Sequence, residues 1–202
     1  MQYLVTMTTQ VPAGVPETTV DDVRGRESVH TAELAAAGHV LRLWRPPLQS
    51  GEWRTLGLFE AQDEDQLEEV LASMPLRIWR HDEVTPLQPH PNDPTSPTPF
   101  RAEATEYFTT FTVTIPDGAD PAVVDEKFAA EASNTRELAA KGKLVRLWRT
   151  GEGHSLGLWQ TDGDDEMQTI VSTLPLAEWL QTDTIQLTPH PSDPAHLASR
   201  NT

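Results

Sequence analysis

The chain has 202 residues, with 15 Lys and Arg against 31 Asp and Glu and a formal net charge of −16. That balance argues against a nucleic-acid partner, because phosphate binding needs Lys and Arg to replace condensed counterions. It has no Cys, which removes disulfides, thiolate metal sites and a Cys nucleophile, and no apolar run of the about 18 residues that span a bilayer. With no basic start and apolar middle of a secretory leader either, a cytoplasmic protein without a membrane partner is expected.

In chain order, residues 3–9 alternate larger apolar side chains with Thr and predict a strand. Pro12 and Gly14 turn the chain, and Thr18 or Thr19 could cap a helix running to Ala37 and stopping at Gly38, a residue suited to the left-handed cap. Residues 40–45 and 54–60 predict a hairpin around Pro46, Pro47, Ser50 and Gly51. A second helix is expected over 63–73, with Leu67, Val70, Leu71 and Met74 at helical spacing, and a final strand over 84–87.

The pattern then repeats. Glu33-Leu34-Ala35-Ala36 through Leu43-Trp44-Arg45 returns as Glu137-Leu138-Ala139-Ala140 through Leu147-Trp148-Arg149. Leu56-Gly57-Leu58 returns as Leu156-Gly157-Leu158, Met74-Pro75-Leu76 as Leu174-Pro175-Leu176, and Pro89-His90-Pro91-Asn92-Asp93-Pro94 as Pro189-His190-Pro191-Ser192-Asp193-Pro194. The expected organisation is therefore one unit over 1–94, a proline-rich extended linker over 95–104, a second unit over 105–194 and a frayed, flexible tail over 195–202. Each unit reads β-α-β-β-α-β, the ferredoxin-like α+β order with both helices on one face of an antiparallel sheet. Two copies are too few for a solenoid, so the sequence predicts units packed sheet to sheet about a pseudo-twofold axis, a pseudo-dimeric α+β barrel.

Arg26-Glu27, Glu33-Leu34, Gly38, Leu43-Trp44-Arg45, Gly51-Glu52, Met74-Pro75-Leu76, the segment from Glu83 to Leu87 and His90-Pro91 together resemble the muconolactone isomerase family. The resemblance covers the first copy end to end. The second keeps Glu131, Glu137-Leu138, Gly142, Leu147-Trp148-Arg149, Gly151-Glu152, Leu174-Pro175-Leu176 and His190-Pro191, but has Phe128 and Ala130 where the first has Arg24 and Arg26. The resemblance implies a cofactor-free isomerase that shifts a double bond in an unsaturated lactone during aromatic-compound breakdown. It also implies an assembly through sheets, so the tandem looks like a fused family dimer, with further homo-oligomerisation compatible with it.

Such a reaction needs a base, a group to steady the oxyanion and a seat for any substrate carboxylate. Glu27 is the base candidate, because Val20, Val23 or Arg24, Glu27, His30 or Thr31, and Leu34 share one helical stripe that should face the sheet; Glu131 lies on the equivalent stripe. A structural ion pair with Arg24 or Arg26 is the alternative role for Glu27. His30, one turn beyond, could tune or relay a proton, or be a plain hydrogen-bonded helix histidine, and its counterpart Asn134 can donate a hydrogen bond but cannot titrate. Arg42 and Arg45, like Arg146 and Arg149, alternate faces of a strand, so one of each pair could hold a carboxylate while the other is solvated or salt-bridged. Trp44 and Trp148 read as core packing, with a pocket wall as the second reading. His90 and His190 read as turn residues. No helical zinc pair, Gly-rich phosphate loop or serine-hydrolase elbow occurs, so no metal or nucleotide cofactor is expected.

Arg24, Arg26 and His30 together make the first copy the better seat for an anionic substrate, and the second copy should offer a more apolar pocket. The expected ligand is a small lactone or a related anionic or hydrophobic compound. Two further functions fit the same pocket: a repurposed relative guiding cyclisation or double-bond migration in secondary metabolism, and a non-catalytic small-molecule binding module.

Overall fold

A computed structural model of the chain describes residues 1–96 and 98–199. The strands are β1 (Gln2–Thr9), β2 (Val40–Arg45), β3 (Arg54–Glu60), β4 (Arg80–Pro89), β5 (Thr105–Val113), β6 (Leu144–Gly151), β7 (His154–Thr161) and β8 (Leu180–Pro189). The helices are α1 (Glu17–Ala36), α2 (Glu64–Ser73), α3 (Pro121–Ala140), α4 (Asp164–Ser172) and α5 (Pro194–Ser199), and short 3-10 turns over Pro75–Trp79 and Ala177–Trp179 precede β4 and β8. The β-α-β-β-α-β order expected of each copy is what forms.

The chain divides into two compact units, Met1–Leu87 with Thr188–Thr202, and Gln88–Leu187. In the first, the antiparallel order is β4-β1-β3-β2, and Thr188 and Pro189 continue the ladder on β2 opposite Arg45 and Trp44. In the second it is β8-β5-β7-β6, with Gln88 and Pro89 opposite Arg149 and Trp148. Each unit thus finishes with the Pro-His-Pro segment that follows the other copy in sequence.

The period-two pattern of β1 puts Tyr3, Val5 and Met7 on one face, all buried, against Leu34 of α1 and Leu67, Val70 and Leu71 of α2. In the second unit Tyr107 and Phe111 meet Met167, Ile170 and Leu174 in the same way. Full burial of each such side chain contributes about 1.5–3 kcal/mol, which is what fixes the helices to the sheet. Gly38 closes α1 as expected: its φ is 82°, its N–H bonds Ala35 O at 3.0 Å, and the next N–H, of His39, bonds Leu34 O at 2.9 Å. Gly57 and Gly157, central in the repeated Leu-Gly-Leu, have a second reason to lack a side chain. A Cβ at Gly57 would come within 2.4 Å of the Phe59 ring, and one at Gly157 within 2.6 Å of Trp159 Nε1.

Several boundaries depart from expectation. Helix α1 starts at Glu17 behind Pro16, with no side-chain cap from Thr18 or Thr19, and β4 extends well outside residues 84–87 because its ladder with β1 holds Arg80, His81, Asp82 and Glu83 despite their polarity. At the tail, Asp193 caps α5, its carboxylate accepting from His196 N at 3.2 Å with Pro194 at the first helical position, so residues 194–199 form a short helix that the sequence does not signal; Arg200, Asn201 and Thr202 lie outside the described residues. In the linker, of which Pro97 also lies outside, the buried Gln160 side chain accepts from Arg101 N at 2.7 Å and donates to Pro99 O at 2.9 Å.

Candidate functional site

In the first unit the buried stripe of α1 is Val23, Thr31 and Leu34, and Glu27 lies between them with a side chain only 12% exposed. Its two oxygens are held separately: Oε2 accepts the Leu76 backbone N–H at 2.8 Å, and Oε1 accepts from Arg80 Nη1 at 3.2 Å. The turn over Pro75–Trp79 presents that N–H, so the repeated Pro-Leu after α2 has a chemical role as well as a structural one. Arg80 is 2% exposed and gives its stronger contacts to Asp82, from Nε at 2.6 Å and Nη2 at 2.9 Å, while Arg77 also pairs with Asp82. Burial therefore outweighs the Leu76 N–H and the Arg80 charge, and the Glu27 carboxyl titrates above the ordinary carboxylate value of 4.5.

Glu27 faces a cavity of about 330 Å³, whose wall includes Thr9, Arg24, Arg45, Trp53 and His190. The guanidinium of Arg24 lies 5.3 Å from the Trp53 ring centroid and is half exposed at 55%, so it stands at the mouth. His190 enters on a loop fastened by Asp193. That carboxylate is fully buried and accepts from Arg42 Nε at 3.0 Å, Arg42 Nη2 at 3.1 Å and Leu43 N at 2.9 Å. His190 N donates to Leu43 O at 3.0 Å, and Nδ1 accepts from Ser192 N at 3.1 Å. An accepting Nδ1 leaves the proton of the neutral ring on Nε2. Burial first, and then the Arg45 charge, push the imidazole down to about 4, so at neutral pH it is an uncharged N–H donor.

The second unit repeats the frame with different chemistry. Glu131 Oε2 accepts from Leu176 N at 3.1 Å, and burial, opposed only by that N–H, raises its carboxyl. Its cavity measures about 290 Å³. Val113, Phe128 and Leu180 line it at the positions that Thr9, Arg24 and Arg80 hold in the first unit. Arg149, the counterpart of Arg45, is turned to Pro89 O at 3.0 Å. His90 lines the pocket, its Nδ1 accepting from Asn92 N at 3.1 Å.

Of the residues singled out in the sequence, Glu27, Arg24 and Arg45 converge on one cavity, and Glu131 lines the other. His30 does not join Glu27: Nδ1 and Nε2 are engaged by Glu33 at 2.9 Å and Ser73 at 2.8 Å on the outer side of α1, beside Arg26, which pairs with Asp22 at 3.1 Å. Arg42 and Arg146 are loop anchors, bound to Asp193 and Asp93 and stacked over Trp44 and Trp148 at 4.7 and 5.0 Å. Those two Trp are 0% and 2% exposed and line neither cavity. Asn134 lies outside the second cavity, its buried Oδ1 without a hydrogen-bond partner among the described residues. Three residues were not foreseen. Arg80 carries no local signal, although its replacement by Leu180 after the matched Trp79 and Trp179 could have marked it. His190 lies in the repeated Pro-His-Pro segment, which the sequence marks as a turn, and Asp193 carries no signal beyond its place in that repeat. Among the described residues no group of three or more His, Asp or Glu could hold a metal ion, and no helix is long and apolar enough to cross a membrane.

A sequence profile described as muconolactone delta-isomerase matches residues 1–93 and again 105–193. Muconolactone Delta-isomerase of Cupriavidus pinatubonensis is 32% identical over 92 residues, 46% of this chain and 97% of that protein. The Rhodococcus opacus enzyme of the same name is 34% identical over 82 residues, 40% of this chain and 88% of that one. Among solved structures, a haem-binding protein from Thermus thermophilus aligns with a TM-score of 0.61 at 13% identity, over 99% of this chain and 95% of that one. Chlorite dismutase from Candidatus Nitrospira defluvii aligns at 0.59 with 9% identity, over 93% and 91%. These two similarities concern the fold alone.

Proposed function

This chain belongs to the muconolactone delta-isomerase family, and we propose that its first unit moves the double bond of a small unsaturated lactone bearing a carboxylate. The observation that carries the reading is Glu27, a desolvated carboxylate held by one backbone N–H and one shared guanidinium at the wall of a ring-sized cavity. Glu27 removes a proton from the γ carbon of the butenolide, and the electron pair moves through the conjugated system onto the carbonyl oxygen to give a dienolate. The neutral Nε2–H of His190 serves as the donor to that oxygen, a task for which an uncharged imidazole is well matched. The protonated Glu27 then returns the proton to the α carbon, so the atoms balance and the carboxylate is regenerated. Arg24 and Arg45 supply the charge for the substrate carboxylate.

No cofactor enters this sequence of steps.

The test is the ultraviolet absorbance of muconolactone during incubation with the purified chain. Glu27→Gln keeps the shape but cannot take a proton, and is expected to lower kcat by about 10³-fold. A wild-type rate in that variant would remove Glu27 as the base. If muconolactone is untouched while a larger cyclic carbonyl compound is converted, the chain is a repurposed relative, a reading that the apolar second cavity favours.

A further inference from the structure

We propose that the cavity of the second unit is a separate binding site for an uncharged, largely apolar ring compound carrying one carbonyl oxygen. The claim concerns ligand class in this unit and does not depend on the chemistry of the first.

Three features define that ligand. The first is the exclusion of a carboxylate. Where the first unit offers Arg24, Arg80 and a pocket-lining Arg45, the second has Phe128, Leu180 and an Arg149 bound to Pro89 O. An anion entering beside Glu131 would meet no compensating guanidinium in the wall, and an unpaired buried charge is strongly disfavoured. The second is apolar area. Phe111, Phe128, Leu147, Leu174 and Leu180 line about 290 Å³, room for one substituted ring and little more.

The third feature calls for an oxygen. Trp159 lines the cavity and is 3% exposed, yet its Nε1–H has no hydrogen-bond partner among the described residues. The matching position of the first unit is Phe59, which has no donor to satisfy and does not line that unit's cavity. A buried N–H left without an acceptor is costly; the nitrogen is packed over Gly157 and has no accessible surface of its own, so binding includes a turn of the indole toward the cavity, where a ligand carbonyl supplies the acceptor without bringing a charge. The unit has thus exchanged charge recognition for one directed hydrogen bond in an apolar enclosure.

The probes are 4-phenyl-2(5H)-furanone and the same compound with a carboxylate on the phenyl ring, titrated calorimetrically into the full chain at pH 7, with tryptophan fluorescence followed in parallel. The neutral compound is expected to bind one site per chain with a change in tryptophan emission, at least about tenfold tighter at the second unit than the carboxylated one, the factor expected for a charge left without a partner. Trp159→Phe should weaken it about fivefold by calorimetry, the loss of one hydrogen bond. Phe128→Arg, at a residue 41% exposed, should abolish the preference for the neutral compound while leaving the muconolactone rate and the thermal unfolding temperature of the chain unchanged. No heat up to the solubility limit, or binding that neither variant alters, overturns the proposal. Failure of the chain to turn over muconolactone would count against the first unit's function only, since the binding is measured without turnover.

Discussion

Replacing Asp193 by Asn isolates the loop that carries His190. The native carboxylate is 0% exposed, and its partner Arg42 is 13% exposed. Arg42 contributes Nε and Nη2 to the carboxylate oxygens at 3.0 and 3.1 Å, and Leu43 N adds a third contact at 2.9 Å. The amide retains size and one acceptor, so the backbone contact can persist, but the guanidinium loses its buried counter-charge. Breaking such a pair from one side costs about 3–5 kcal/mol, and the stacking of Arg42 on Trp44 at 4.7 Å places the expected loss near the lower figure, about 3 kcal/mol. For a chain of this length that corresponds to about 6–12 °C in Tm. Asp93→Asn provides the internal control. There the carboxylate and Arg146 are 19% and 33% exposed, solvent screens the charge, and about 1 kcal/mol is expected. Urea unfolding of both variants, read with the muconolactone rate, tests the reasoning: Asp193→Asn should lose both stability and rate, Asp93→Asn little of either. Equal losses in the two, or a change below about 0.5 kcal/mol in Asp193→Asn, would show that burial does not govern these pairs.

The pH dependence of kcat/KM should rise with a midpoint above 4.5 as Glu27 ionises, and the double change Arg80→Leu with Asp82→Thr, which installs the second unit's residues at both positions, should move that midpoint further up; an unmoved or lowered midpoint would refute the role given to Arg80. His190 makes stability pH-dependent in a definite direction. Its folded-state value is depressed to about 4, so as pH falls through 6.5 the unfolded chain binds a proton that the folded ring refuses, and stability should decline from about pH 6.5 to about 4 and level off below. His190→Gln should flatten that part of a urea-unfolding series, and identical slopes in both proteins would contradict it. Gly157→Ala forces a Cβ to within 2.6 Å of the Trp159 ring, and the resulting overpacking should cost about 1–3 kcal/mol and alter tryptophan emission; an unchanged unfolding curve would mean the ring moves freely.

The elements with a strong period were legible in the sequence. Residues 40–45 and 54–60 form strands with those bounds, and Glu27 was identifiable because an acid occupied a stripe of Val and Leu. What escaped was information held by tertiary structure alone. Arg80 meets Glu27 from 53 positions away, a separation at which spacing predicts nothing. His30 fell on the same approximate stripe as Glu27, but the 3.6-residue repeat leaves positions 30 and 31 competing for one inward place, and Thr31, the smaller, is the buried one. The paired Pro-His-Pro-X-Asp segments were visible as a repeat. Their purpose needed the sheet edge, because only there do the Asp side chains find a strand arginine to grip.

The trading of chain ends between sequence copies and compact units bears on how the gene can be cut. A polypeptide terminated after residue 94 would retain Glu27, Arg80 and the part of the first cavity's wall built by residues 7–80, but lose residues 188–193, and with them the imidazole and its anchoring carboxylate. The complementary piece, begun at residue 105, would lack His90 and Asp93 in the same manner. Neither half carries a complete site, although the amino-acid repeat suggests a clean seam. A library that shuffles copies at the proline-rich joint would exchange not whole sites but the closing loop of one site for that of the other, so Asp193 and Asp93 become the portable parts, and what travels between chimaeras is the histidine rather than the glutamate.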